Sequence, residues 1–237
     1  MARKRAEASL EDAVSAPDRG PEAVGARLRA ERERQRMSLR ELARRLDVSA
    51  SLISQVELGK ATPSVGTLYA IVSELGMSLD ELFFERGAAS EGRPQLGVVG
   101  PGDGDQARVR TEPAQPVVRR GERKAIQLDS GVRWERMTSV TEHDVDFLYV
   151  VYAVGGASCA EDSLMRHAGR EYGHVITGHL GVTVGFDTYQ LGPGDSIAFD
   201  STLPHRLFNA GDVPAEGIWF VVGRAGDARR GELAAED

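Results

Sequence analysis

The sequence contains one cysteine in 237 residues, Cys159, so no disulfide can form within the chain. This excludes the disulfide framework of small secreted proteins and fits a reducing compartment. No apolar run approaches the roughly 20 residues of a membrane-spanning helix, because the longest, residues 147–154, has only the length of a strand. The N-terminus also lacks the apolar core of a signal peptide. We therefore expect a cytoplasmic protein with no membrane partner.

The chain as a whole also lacks an excess of positive charge. Its net charge is -7, which argues against a protein that coats nucleic acid without regard to sequence. The charge is unevenly distributed, because residues 24–62 hold nine basic and five acidic side chains, a local net charge of +4. An acidic chain with one basic region is typical of a regulator that must find DNA without binding to it everywhere.

That basic region contains SLRELARRLDVSASLISQVELGK at residues 38–60, which predicts two short helices that meet at a tight turn. Ser38 and Glu41 have the spacing of a capping box at the start of the first helix. Ser49 has the position of an N-cap for the second helix. Apolar residues fall on one face of each helix at helical spacing. Asp47 lies between the helices and tolerates the left-handed conformation of a sharp corner.

The second helix of this motif has small polar residues on its outward face, which suits a major groove about 12 Å wide. We expect this face to contact base edges, and we expect nearby basic residues to contact phosphates. The predicted DNA-contacting residues are Ser38, Arg44, Arg45, Ser49, Ala50, Ser51, Ser54, Gln55 and Lys60. The alternative is a helical bundle with no nucleic-acid role.

Residues 24–84 resemble the xenobiotic-response-element family of helix-turn-helix domains, the fold of the phage repressors and Cro proteins. The resemblance rests on the 38–60 motif, on PSVGTL at residues 63–68 and on LGMSLDELF at residues 75–83. It implies double-stranded operator DNA as the partner and a structural ion pair between Arg32 and Glu57. Asp47 departs from the family, which usually has glycine there. Because one short helix reads few base pairs, we also expect a homodimer on a near-palindromic site.

Chain composition predicts a domain at residues 23–85, flanked by a disordered tail at 1–22 and a flexible linker at 86–116 that is rich in Gly, Pro, Ala and Gln. The linker includes one expected short strand at residues 96–99. From residue 123 onward, short segments alternate with period two between Gly, Pro and Asp turns. This pattern predicts a β-sandwich or barrel that can hold a ligand, in a second domain at 117–224 followed by a tail at 225–237.

This second half resembles the cupin family, a small jelly-roll barrel. The positions that match its two characteristic segments are His167, Glu171, Gly178, Gly194, His205 and Asn209. Met165 stands where the family has the first histidine of its H-x-H pair. The expected fold class is therefore α+β with two domains: an all-α, five-helix N-terminal helix-turn-helix domain and an all-β C-terminal cupin barrel.

The domain order resembles a class of bacterial transcriptional regulators in which the barrel takes up a small molecule. We therefore expect a ligand-responsive, DNA-binding regulator and not an enzyme. His167, Glu171 and His205 are predicted to contact the effector, or to bind a divalent metal, and Met165 is predicted to line the same cavity on one strand with His167. No cofactor is certain.

The alternative function is a mononuclear non-haem iron enzyme. Two histidines and one glutamate also form the facial triad of non-haem iron oxygenases. The epoxidase that makes fosfomycin resembles this protein in both its domain order and its triad.

Overall fold

The computed structural model describes residues 21–83, 116–139 and 145–223. Apart from residues 21, 22 and 116, the expected tails and linker, with the strand at 96–99, lie outside these ranges. None of the described helices is both long and apolar enough to cross a membrane. The described residues form an N-terminal helical region and a C-terminal β region, so the predicted two-domain α+β fold class is confirmed.

Five α-helices build the N-terminal region, as predicted. They are α1 (Pro21–Arg34), α2 (Leu39–Arg45), α3 (Ala50–Glu57), α4 (Val65–Glu74) and α5 (Asp80–Phe83). Helix α1 begins at Pro21 and ends at Arg34. Proline suits the first helical position because its missing N–H is not needed there. The helix ends before Arg36, whose φ of 56° is left-handed.

Serine hydroxyls begin the three central helices. Ser38, Ser49 and Ser64 each accept a hydrogen bond from the backbone N–H three residues later, at 3.1, 3.1 and 3.2 Å. Each bond satisfies an N–H that has no partner within the helix. The predicted capping box at Ser38 is only half formed, because the Glu41 carboxylate accepts a hydrogen bond from Arg45 instead.

The helices enclose an apolar core that holds α3 in place. Asp47 takes the left-handed conformation expected at the turn, with φ of 53°. The side chains of α1 to α5 and their connections that are at most 1% exposed are Leu28, Leu42, Ile53, Leu68, Ile71, Val72, Leu79, Leu82 and Phe83. Burial of this kind stabilises a domain in which the short α3 would not be stable alone.

Nine strands form the described part of the C-terminal region. They are β1 (Ala125–Leu128), β2 (Val132–Arg136), β3 (Val145–Tyr152), β4 (Arg170–Thr177), β5 (Leu180–Val184), β6 (Asp187–Leu191), β7 (Ser196–Asp200), β8 (His205–Asn209) and β9 (Ala215–Val222). One sheet has the order β1-β2-β3-β9-β4-β7 and the other β6-β5-β8. The sequence pattern predicted all of these strands except β6, four of whose five residues are exposed.

Strand alternation decides which side chains point into the barrel. In β3, Leu148, Val150 and Tyr152 are buried, whereas the residues between them are half-buried. Phe147 pairs with Phe220 across β3 and β9, and their rings stack at 4.2 Å. Phe220 alternates with the buried Trp219 and Val221 and therefore points outward.

The N-terminal half of α4 contacts the barrel. The backbone N–H of Gly66 donates to the carbonyl of Ser158 at 2.9 Å, and that of Asp129 donates to Pro63 at 3.4 Å. Tyr69 of α4 contacts Trp134 of β2 edge-on, with ring centroids 5.3 Å apart. The helical region and the barrel therefore share an interface at α4.

Candidate functional site

The two sheets bring His167, Glu171 and His205 together inside the barrel. Glu171 belongs to β4 and His205 begins β8 in the other sheet, whereas His167 lies just before β4. All three are buried, and one ligand atom from each lies within 4.8 Å of the others. The Nε2 atoms of His167 and His205 lie 2.8 and 3.1 Å from Oε1 of Glu171.

The other ring nitrogen of each histidine is held by the backbone. Nδ1 of His167 lies 3.0 Å from the carbonyl of Ala168, and Nδ1 of His205 lies 2.8 Å from that of Leu203. Because a carbonyl only accepts, each Nδ1 carries a proton, and Nε2 is the ring nitrogen that faces Glu171 and can bind a metal when it is deprotonated. Neither buried Nε2 has a hydrogen bond of acceptable geometry. Two such nitrogens beside one carboxylate oxygen fit a divalent metal ion.

Glu171 is itself oriented by Trp219, whose indole N–H donates to Oε2 at 2.7 Å. Trp219 reaches this position because Gly173 faces it in the neighbouring strand. A Cβ at Gly173 would lie 2.1 Å from the indole ring, so the ring occupies space that any other residue would fill. Oε1 of Glu171 is thereby left to face the two histidines.

The site keeps its carboxylate ionised. Burial favours the neutral form of Glu171, but the contacts with His167 and His205 outweigh burial and lower the pKa of Glu171 to about 2. Burial likewise opposes a charge on His205, and contact with Glu171 raises the pKa of His205 above its ordinary value. Negative charge beside two imidazoles favours a bound cation.

A cavity of about 20 Å³ adjoins the triad. Aromatic and aliphatic side chains dominate its walls, which comprise Val65, Tyr69, Trp134, Leu148, Val150, Tyr152, Ser158, Met165, Glu171, His205, Leu207 and Trp219. Met165 is one of the residues that line this cavity. The expected strand through Met165 and His167 is absent from the structure, because Met165 makes only an isolated bridge to His205.

The face predicted to bind DNA is only partly exposed. Ser51 and Gln55 of α3 are exposed, whereas Ala50 and Ser54 are half-buried. Ala50 packs partly against the helical core, so it is less available to a base edge than Ser51 and Gln55 are. Since α3 must bury one face to stay folded, the residues at the edge of that face are shared between core and surface.

The basic residues that were predicted to contact phosphates have different surroundings. Arg44 and Lys60 are exposed. Arg45, in contrast, binds the carboxylates of Glu41 and Glu74 at 2.7 Å each. The pair with Glu74 joins α2 to α4, and both ion pairs compete with any phosphate for Arg45. Ser38 and Ser49 are exposed, and their hydroxyl oxygens accept the N-cap hydrogen bonds described above.

Arg32 and Glu57 join α1 to the end of α3. Nε and Nη2 of Arg32 donate to the two carboxylate oxygens of Glu57 at 2.6 and 2.8 Å. Nη1 of Arg32 donates to the carbonyl of Met37 at 2.7 Å. The side chains are 8% and 5% exposed. A buried pair with two parallel hydrogen bonds fixes the orientation of α3 relative to α1.

Tyr69 is a site residue that the sequence analysis missed. Its ring stacks on the imidazole of His167, with centroids 4.5 Å apart and planes 5° from parallel. In the sequence it occupies a buried-face position of α4, where a tyrosine ordinarily fills a core. No pattern in the sequence near Tyr69 indicates that its side chain packs against the barrel instead of within the helical domain.

Two family models match the chain. Residues 28–82 match a helix-turn-helix model, and residues 148–221 match a cupin-domain model. The protein therefore combines a helix-turn-helix domain with a C-terminal cupin domain, as both resemblances predicted. This domain pair is that of a DNA-binding transcriptional regulator.

Known proteins are similar to this chain over most of its length. The HTH-type transcriptional regulator PuuR of Escherichia coli (strain K12) is 25% identical over 188 residues, which cover 79% of this chain and 88% of that protein. An HTH_3 family transcriptional regulator from Vibrio cholerae has a similar fold, with a TM-score of 0.57 and 16% identity over 86% of this chain and 96% of that one. The hydroxypropylphosphonic acid epoxidase of S. wedmorenis covers 85% and 98% at 20% identity, but its TM-score of 0.37 carries no argument about function.

Proposed function

We propose that the protein is a sequence-specific transcriptional regulator whose cupin barrel binds a small effector and alters operator binding. The observation that carries this proposal is the exposed polar surface of α3, with Ser51 and Gln55 at its centre, in the same chain as a buried His-Glu-His cavity. A polar helix face of this size suits base edges in a major groove. We propose that the protein acts as a regulator and not as an enzyme.

Operator recognition is tested by selecting duplexes from a randomised DNA library with the full chain. We expect Gln55→Ala to weaken binding to the selected duplex by about 1–3 kcal/mol, because a glutamine that reads a base is lost, and to leave random DNA almost unaffected. Gln190 of β6 is also exposed, so Gln190→Ala is the matched control. An equal loss on selected and random DNA would contradict base reading by Gln55.

For the cupin site, we propose that His167, Glu171 and His205 hold a divalent metal, with Met165 as an apolar or thioether wall. A bound metal would offer its remaining positions to water or to an effector. We expect His205→Ala to lose most of the metal measured per chain after loading with Zn²⁺ or Mn²⁺. His174→Ala is the control, since His174 is exposed on β4 and hydrogen-bonds Ser196. Equal metal content in both variants would leave the triad as a hydrogen-bonding site for an organic effector.

The same triad favours one other function, that of a non-haem iron oxygenase. This alternative predicts uptake of oxygen by the Fe²⁺-loaded protein in the presence of a substrate. The regulatory proposal predicts that binding of an effector changes operator affinity without oxygen uptake.

We also propose that the protein binds DNA as a homodimer through the outer face of the six-stranded sheet. Phe147, Phe220 and Tyr172 pair across β3, β9 and β4 and form an apolar row on that face. Tyr172→Asp should shift the mass measured by light scattering from two copies to one. Phe186→Asp serves as control, because Phe186 is fully exposed in the turn between β5 and β6. A wild-type monomer at micromolar concentration would refute this arrangement.

A further inference from the structure

One wall of the cupin cavity comes from the DNA-binding domain. Val65 and Tyr69 of α4 line the cavity together with residues of the barrel. Tyr69 is 5% exposed, and its ring covers one face of the His167 imidazole. The same ring contacts Trp134 edge-on. A residue of the helical domain therefore contacts a residue of the triad directly.

The backbone of α4 also approaches the barrel closely. Gly66 donates its N–H to the carbonyl of Ser158 at 2.9 Å. A Cβ at Gly66 would lie 3.5 Å from Cβ of Cys159 and 3.7 Å from Cβ of Met165. The helix thus forms one wall of the cavity with its main chain and side chains, and it is in van der Waals contact with the barrel at this point.

The cavity beside the triad is too small for an organic ligand. Its volume of about 20 Å³ exceeds the roughly 10–15 Å³ that one water molecule requires. Pockets that enclose organic ligands have volumes of about 300–1,000 Å³. A metal ion or water fits beside the triad while α4 is in place, whereas an organic effector needs space that Tyr69 occupies.

We propose that Tyr69 is an effector-site residue supplied by the DNA-binding domain, and that an organic effector with a flat ring binds the face of His167 that Tyr69 covers. This inference rests on the proposed regulatory function. Tyr69 and the effector compete for one surface, so binding of the effector moves α4 away from the barrel. Because α4 shares a core with α3, the recognition helix changes position with it. By linkage, DNA that favours one position of α4 changes effector affinity by the same factor.

Cys159 provides a direct measurement of the α4 contact. It is the only thiol in the chain, it is partly buried, and it lies beside Gly66. Its alkylation by iodoacetamide therefore becomes faster when α4 leaves the barrel. Loss of one of the two ring contacts of Tyr69 corresponds to a change of about 2- to 12-fold in such an equilibrium. We therefore expect Tyr69→Ala in the full chain to accelerate alkylation at least about 2-fold.

Two further variants make the result specific. Tyr69→Leu keeps an apolar side chain in the interface and removes the ring, so it should also accelerate alkylation if Tyr69→Ala fails to fold. Tyr189→Ala removes an exposed tyrosine from β6 and should not change the rate. An unchanged rate in both Tyr69 variants, or an equal acceleration by Tyr189→Ala, would overturn the inference.

The ligand site is probed with p-cresol, which has the ring and hydroxyl of a tyrosine side chain. We expect p-cresol to change the fluorescence of Trp134 and Trp219 and to bind Tyr69→Ala about 2- to 12-fold more tightly than wild type, because only the wild type must displace its own ring. Equal affinity for both proteins, or no binding to Tyr69→Ala, would overturn the effector-site assignment.

The proposal about Tyr69 and the proposal about operator recognition can each fail while the other stands. If the Tyr69 variants behave as wild type while Gln55→Ala still loses operator preference, the regulator proposal stands and the role of Tyr69 is refuted. If the Tyr69 variants behave as expected but no duplex is selected, the domain contact stands and the DNA-binding role is refuted.

Discussion

Removal of Arg32 is expected to destabilise the helical domain more than removal of any exposed ion pair. Arg32→Ala leaves the Glu57 carboxylate, 5% exposed, without its two charge-assisted hydrogen bonds. Loss of one partner from a buried pair costs about 3–5 kcal/mol, because the surviving charge stays desolvated. That amount is a large fraction of the stability of a small domain.

The two single variants should differ. After Glu57→Ala, Arg32 keeps its hydrogen bond to the carbonyl of Met37 at 2.7 Å and lies 3.6 Å from Glu33. Its charge is therefore still partly compensated, and we expect a loss near 3 kcal/mol or less. The double variant leaves no unpaired charge and should lose about 2–3 kcal/mol through the bond to Met37 and the packing of the arginine stem. The double variant is then more stable than Arg32→Ala alone.

Urea unfolding followed by circular dichroism at 222 nm measures these differences, because all α-helices of the described residues lie in residues 21–83. The matched control is Arg29→Ala, which removes an ion pair with Glu33 whose side chains are 53% and 52% exposed. Its midpoint should remain close to that of the wild type. Additive losses from Arg32→Ala and Glu57→Ala in the double variant would refute the argument, since independent residues show no coupling.

Two other substitutions test the cupin site and the DNA interface. Gly173→Ala should displace Trp219 from Glu171, because the new methyl group would overlap the indole ring. We expect this variant to bind less metal and to have lower thermal stability than the wild type. Retention of wild-type metal affinity would contradict the role of Trp219 in orienting Glu171. Arg44→Ala should reduce the slope of operator affinity against salt concentration by about one unit, whereas Arg45→Ala, whose side chain is already paired with carboxylates, should change it less. Equal slopes for the two variants would contradict this difference.

Several features of the fold could be predicted from the sequence because they depend on neighbouring residues. The N-caps Ser38, Ser49 and Ser64 satisfy backbone groups three residues away, so their effect is visible locally. Asp47 marks the turn through its own conformational preference. The alternation of β3 likewise predicts its buried face. The exposed β6 lacks such alternation and was missed for that reason.

Patterns among neighbouring residues could not show that the three triad residues lie together. His167 and His205 are 38 positions apart in the sequence, and only the meeting of two sheets brings both to Glu171. The sequence suggested these three residues through resemblance to a family. The tautomers, the orientation of Glu171 by Trp219 and the two Nε2 atoms that face Glu171 follow from contacts between strands, which local periodicity does not specify.

The sequence by itself determined the two domains, the helix-turn-helix motif and most strands, since caps, turns and periodicity act over a few residues. Tertiary structure alone decided that Ala50 packs partly against the helical core, that Arg45 pairs with carboxylates and that Phe220 points outward. It also placed Tyr69 against His167. In each case the side chain could bury its surface or pair its charge in more than one direction, and the residues that settled the direction are distant in the sequence.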